Sequence, residues 1–270
     1  MKYSTSEELA KFLRLDILKM INQGRSSHIG AAFSAADILA VLYHDILRYR
    51  PEEPDWAERD RVILSKGHAG AVVYAVLAEC GFFPVEQLMT HCADGGKLSG
   101  HVSHKGVPGV EFSTGSLGHG LPVGAGMAFA LKKQNNPARV YCICGDGECQ
   151  EGTTWETALF AAQHNLDNLT VIIDRNRMQG LGDTEELAGL EPLADKWIAM
   201  NWHTIRIDGH AHQTLREAFS QKSSKPCCII ADTIKGKGVS FMENQLEWHY
   251  KPPVDALFDR ALRELSGESK

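Results

Sequence analysis

Residues 140 to 152 read "VYCICGDGECQEG", an apolar run that stops at Gly145 and gives way to three carboxylates, Asp146, Glu148 and Glu151, set among glycines. Glycines after a strand let backbone N–H groups approach a phosphate, whereas a carboxylate in the same place repels one. A cation between the two resolves the conflict. Asn176, in "IIDRNRMQG", closes a second strand-like run about thirty residues on, and adjacent parallel strands would bring the two ends together. A hard cation such as Mg²⁺ takes about six oxygens, commonly one or two carboxylates plus ligand phosphates and water. Asp146, the Asn176 amide and a backbone carbonyl just beyond it would supply half. A Gly-Asp-Gly turn alone serves equally well as a plain strand end, so the pairing with Asn176 carries the inference of a metal-bridged diphosphate.

The elements that must hold these residues are readable. "RVILS" (61–65) is short, apolar and β-branched, and runs through "KGH" into the helix-like "AGAVVYAVLAE". The pattern recurs in "RVYCIC" (139–144), a helix from about Thr153 to His164, "NLTVIID" (168–174), "HTIRID" (203–208) and "PCCIIADT" (226–233). Buried strands alternating with helices predict an α/β fold of three layers, a mostly parallel sheet with helices on both faces and ligands at the strands' C-terminal ends. Residues 5–22 and 35–48 carry helical periodicity, the second with Ser34 as N-cap and Asp37 three residues on. Residues 91–126, rich in Gly, Ser and His, predict a long irregular loop, and ordered loops of that length are usually functional. The last segment, from Val254, predicts a surface helix with a frayed end.

The whole chain sets limits. Its 270 residues, 43% hydrophobic and 23% charged, suit a single domain spanning 1–270, with no repeat or linker to divide it. Its 28 Lys plus Arg against 34 Asp plus Glu, with no basic run, argue against nucleic acid as a partner. No signal-peptide core opens the chain, and no stretch approaches the ~18 consecutive apolar residues of a membrane span, so no membrane is expected and the location is read as cytoplasmic. Seven cysteines without secretory features predict reduced thiols, with Cys142 and Cys144 as core packing.

Gly-Asp-Gly, twenty-eight residues (148 to 175), then Asn176 is similar to the thiamine diphosphate motif. The chain resembles the N-terminal half of a transketolase through "SSHIGAAFSAADIL", "DRVILSKGHAG", "STGSLGHGLPVGAGMA", "GDGECQEGTTWETALFAAQHNLDNLTVIID" and "DTIKGKGVSFMENQLEWHY". Split transketolases, with the diphosphate-binding and pyrimidine-binding halves on separate chains, are the nearest kind. The resemblance implies that Asp146, the Asn176 side chain and the Met178 carbonyl hold Mg²⁺ or Ca²⁺. It implies that His68 and Gly147, flanked by Gly145 and Glu148, contact the cofactor diphosphate. Gly115, Ser116 and Leu117 would lie along the aminopyrimidine. His249 would reach diphosphate and substrate, and His28 and His101 the sugar. Glu151 matches a glutamate at the interface between halves; a carboxylate favoured by a helix start explains it as well. The four named histidines, of twelve in the chain, all fall within matching blocks, and imidazoles titrating near neutrality suit proton transfer from a sugar hydroxyl.

The implied activity is transfer of a two-carbon ketol unit from a ketose, usually phosphorylated, to an aldose. It implies a separate C-terminal subunit carrying the activating glutamate and sugar clamp, with two copies of each chain. A deoxyxylulose phosphate synthase-like condensation and a non-catalytic cofactor-binding module are the alternatives. His119, Ile29 and Arg177 depart from common family residues without removing a ligand. Lys235 and Lys237, in "IKGKG", could meet a phosphate, but a solvated basic loop is the expected reading.

Overall fold

The computed structural model describes residues 2–268. In chain order the helices are α1 Ser6–Gly24, α2 Ile29–Val41, α3 Ala71–Glu79, α4 Gly120–Lys133, α5 Gly152–Gln163, α6 Thr184–Ala188, α7 Leu193–Ala199, α8 His212–Ser220 and α9 Asp255–Ser266. The strands are β1 Arg61–Leu64, β2 Val140–Gly145, β3 Leu169–Arg175, β4 His203–Asp208 and β5 Cys227–Asp232. They form one sheet in the order β1-β2-β3-β5-β4, every pairing parallel.

Alternation along the strands divides the core between the two faces. Tyr141, Ile143, Ile172, Ile229 and Ala231 point into one cluster with α1, α2, α3, α8 and α9. Cys142, Cys144, Val171, Ile173, Cys228 and Ile230 point into the other with α4, α5 and α7. A sheet covered on both faces needs apolar residues at every position, which is why its central strands read as unbroken apolar runs.

Two expectations are corrected. The second helix begins at Ile29, and Ser34 caps nothing; every residue of α2 is buried, so no polar face marked its start. With the π-helical turn Leu42–Ile46, this segment is long and apolar enough to cross a bilayer by length and composition, but 83% of it is buried in the fold, as in a core helix. The irregular stretch from residue 91 ends where α4 starts at Gly120, and the stretch between β3 and β4 holds α6 and α7. The expected surface helix is present as α9, which buries Ala261 and Leu265 against the α1 layer and leaves the rest of its length partly or fully exposed. Its expected frayed end falls on 269 and 270, outside the described residues.

Candidate active site

Four neighbouring strand ends, those of β1, β2, β3 and β5, open onto one cleft of about 290 Å³. The first contributes Lys66 and His68, the second Gly145 to Glu148, the third Asn176 and Met178 to Gly180, the fourth Lys235. His28 and Ala31 come from the start of α2, His101, Gly115 and Leu117 from the long loop, and His249 from the turn Leu246–His249.

Close backbone approaches fix these loops. A Cβ on Gly67 would strike the backbone of Thr114, so only glycine lets the His68 loop pass beneath the long loop. Val102 N–H donates to the Gly67 carbonyl (3.1 Å) and Thr114 N–H to the Val102 carbonyl (3.1 Å). The Tyr74 hydroxyl donates to the His101 carbonyl (2.9 Å) and accepts from Ser103 N–H (2.9 Å), which pins the loop on both sides of Val102. A Cβ on Gly147 would come within 2.7 Å of the Gln179 side chain.

Asp146 is 2% exposed. Its Oδ2 accepts from Arg175 Nη1 (2.9 Å) and from Arg177 N–H (2.6 Å), and its Oδ1 from Gly147 N–H (2.8 Å). Burial raises the carboxyl above its ordinary range, and Arg175 offsets part of that rise. Asn176 directs Oδ1 to Met178 N–H (3.1 Å) and Nδ2 to the Ser34 hydroxyl (3.3 Å). Asp146, Asn176 and Met178 thus line one cleft with oxygen atoms of the hard type, a donor set that fits Mg²⁺ or Ca²⁺.

Four imidazoles crowd the cleft mouth. The His28 ring centre lies 5.1 Å from that of His68, 5.8 Å from His101 and 4.9 Å from His249. His28 has φ +72°, a left-handed conformation costly for a side-chain-bearing residue. It is held by its own N–H on the His249 carbonyl (2.9 Å) and by Ser27 Oγ at 2.7 Å from Nδ1. Burial, with help from His101 and Lys235, pushes the His28 pKa down to about 4. Burial and Lys235 push that of His249 down to about 3. His68 falls well below the ordinary imidazole range through burial and Lys66. All three rings are thereby shifted toward the neutral form.

Three predicted residues stand apart. Glu148 lines the cleft, but its oxygens are spent on the Ser65 hydroxyl, Gly118 N–H (2.8 Å) and Gly145 N–H (3.1 Å). It braces three loops. Ser116 is exposed and outside the cleft lining, unlike its neighbours Gly115 and Leu117. Glu151 is exposed before α5, makes no side-chain cap bond and packs beside Gly118.

One lysine was misread and another missed. Lys235, expected in a solvated loop, is 1% exposed. Its ammonium donates to the carbonyls of Met178 (3.1 Å) and Gln179 (3.3 Å) and to His249 Nδ1 (2.9 Å). Lys66, equally buried, pairs with Asp174 and donates to the Ala31 carbonyl (3.0 Å). Both follow a strand end, the one signal that would have found them.

The fold and cleft define a class: a doubly wound α/β protein with a glycine-lined polar cleft at the carboxyl ends of its parallel strands. Residues 5–264 match the family described as transketolase, thiamine diphosphate binding domain, and the chain belongs to it. It is 40% identical over 262 residues, 96% of this chain and 95% of that protein, to the 6-deoxy-6-sulfo-D-fructose transketolase subunit SqwG of a Clostridium species. It is 39% identical over 269 residues to an apulose-4-phosphate transketolase subunit from Phocaeicola vulgatus, covering 98% of this chain and 95% of that one. The crystal structure of transketolase from Campylobacter jejuni superposes with TM-score 0.91 at 34% identity, over 98% of this chain but 43% of that longer one.

Proposed function

We propose that this chain is the diphosphate-binding subunit of a split transketolase that moves a two-carbon ketol unit from a ketose to an aldose. The convergence of Asp146, Asn176 and Met178 with the four histidines in one cleft carries the reading. Asp146, Asn176 and the Met178 carbonyl would hold Mg²⁺ or Ca²⁺, and Gly145, Gly147 and His68 would receive the diphosphate. Gly115 and Leu117 would lie along the pyrimidine, with Ser116 shaping their turn. When bound, thiamine diphosphate supplies the carbanion that attacks the ketose carbonyl.

The chain's own residues orient the sugar and move its proton. His28, His101 and His249 share the cleft mouth, and neutral rings of His28 and His249 donate or accept there without repelling the cations beneath. Lys235 can only donate, so His249 Nδ1 accepts and its ring proton sits on Nε2. Exposed Glu151 suits a contact across the junction between halves. Relatives named as subunits imply a separate partner chain, and two copies of each is the assembly we propose. Their names make phosphorylated and sulfonated ketoses the first donors to test.

Calorimetry of the assembled enzyme tests the cofactor site. Asp146→Ala should abolish Mg²⁺-dependent thiamine diphosphate binding, because a buried carboxylate bridges metal to protein. Unchanged affinity in that variant refutes the assignment.

A further inference from the structure

We propose that Ser34 is a positioning residue that fixes which end of the Asn176 amide faces the cleft. Ser34 lies in the middle of α2, fully buried, 142 residues from Asn176 in sequence. Its hydroxyl carries one proton and meets three groups: the Ala31 carbonyl at 3.0 Å, Asp174 Oδ2 at 2.5 Å and Asn176 Nδ2 at 3.3 Å. A carbonyl oxygen and a carboxylate paired with the Lys66 ammonium only accept, so the Ser34 proton is committed to that side. Thr233 Oγ1 donates to the other oxygen of Asp174 and helps hold it there.

The Ser34 oxygen therefore turns a lone pair toward Asn176, and only the amide NH₂ satisfies it. On the far side, Met178 N–H demands an acceptor and receives Oδ1 at 3.1 Å. Reversing the amide would set donor against donor at Met178 and acceptor against acceptor at Ser34. Buried polar mismatches of that kind are costly. Asn176 Nδ2–H donates to Ser34 and Ser34 O–H to Asp174, which also accepts from Lys66, so the donors converge on Asp174 and leave Asn176 Oδ1 on the Met178 side of the amide.

The consequence rests on the reading of Asn176 as a ligand of the divalent cation. An amide oxygen coordinates a hard cation, whereas an amide nitrogen presents two hydrogens and repels it. Outer-shell groups that orient a ligand typically shift metal affinity by about 10- to 100-fold. Ser34→Ala removes one of the two groups that select the amide's orientation and keeps a strong helix former in a buried position.

The test is a Mg²⁺ titration of thiamine diphosphate binding, followed by calorimetry on the assembled enzyme, for Ser34→Ala, Asn176→Asp and the double variant, beside Asp146→Ala. Ser34→Ala should weaken Mg²⁺ by about tenfold or more in the native background. In the Asn176→Asp background, where either oxygen serves as ligand, the same change should alter affinity less than about twofold. Ser34→Cys, close in volume with a weaker acceptor, should fall between, and it substitutes for the alanine variant if that one fails to fold. Wild-type Mg²⁺ affinity in Ser34→Ala overturns the proposal, as does an equal loss with and without Asn176→Asp, which would mark a merely structural role. If Asp146→Ala retains metal-dependent binding, the metal site itself falls and the proposal with it. If Asp146→Ala loses binding while Ser34→Ala keeps it, only the role of Ser34 falls.

Discussion

Lys235→Met isolates the electrostatic control of His249. The ammonium lies 2.9 Å from His249 Nδ1, and the imidazole pKa is driven down to about 3 by burial first and this charge second. Two unit charges at about 4 Å repel by about 1 kcal/mol in water and about 4 kcal/mol at an effective dielectric of 20. Lys235 is buried but His249 is only partly so, which leaves the pair between these limits, and removing the charge should raise the His249 pKa by about one unit or more. Burial remains, and the value should stay below the ordinary 6.5. His28, for which Lys235 is the third cause after burial and His101, should move less. The assay is NMR titration of the imidazole ring protons in the cofactor-free chain, wild type against variant. A wild-type His249 titrating near 6.5, or a pKa unmoved by Lys235→Met, would refute the reasoning. The sign for stability follows from the depressed values. The unfolded chain takes up protons first, so the contribution of these rings is present above about 6.5 and is lost as pH falls toward 4 and 3.

Asp37 accepts from Arg14 (3.0 and 2.5 Å), His210 (2.6 Å) and His212 (3.1 Å). Burial opposes its ionisation, but Arg14 and the two histidines override it and hold the carboxyl well below the usual range. Asp37→Asn should cost about 3–5 kcal/mol in urea unfolding. In the wild type this contribution is present above the unfolded carboxyl pKa of about 3.9 and fades as pH falls through the folded value. A loss under about 1 kcal/mol would contradict the assignment of Asp37 as the hub joining α1, α2 and α8. Glu148→Gln places an NH₂ against donors at Ser65, Gly118 or Gly145, and should cost about 1–3 kcal/mol while weakening cofactor binding, read by calorimetry and thermal unfolding. Unaltered binding would show that the Gly145–Gly147 turn holds without its brace.

The sheet was legible in the sequence because its central strands, β2, β3 and β5, are buried on both faces and read as apolar runs, and all five predicted strands are present. The joint position of Asp146 and Asn176 followed from neighbouring parallel strands, and β2 does pair with β3. Other features depend on partners far along the chain. Ser34 looked like a helix cap because its hydroxyl's true acceptor, Asp174, is 140 residues away. Lys235 looked solvated because nothing local reveals that β5 lies directly beside β3, which drops the residue after it onto Met178 and His249. Glu148 was placed at the diphosphate because its position in the glycine-acid block is visible and the three donors it accepts from are not.

Ketol transfer by the purified chain, with saturating thiamine diphosphate and Mg²⁺ and both phosphorylated and sulfonated ketose donors, tests the half-site account most directly. Alone, the chain should show no turnover, and addition of a C-terminal transketolase subunit should restore it. Robust turnover by the isolated chain would contradict the account.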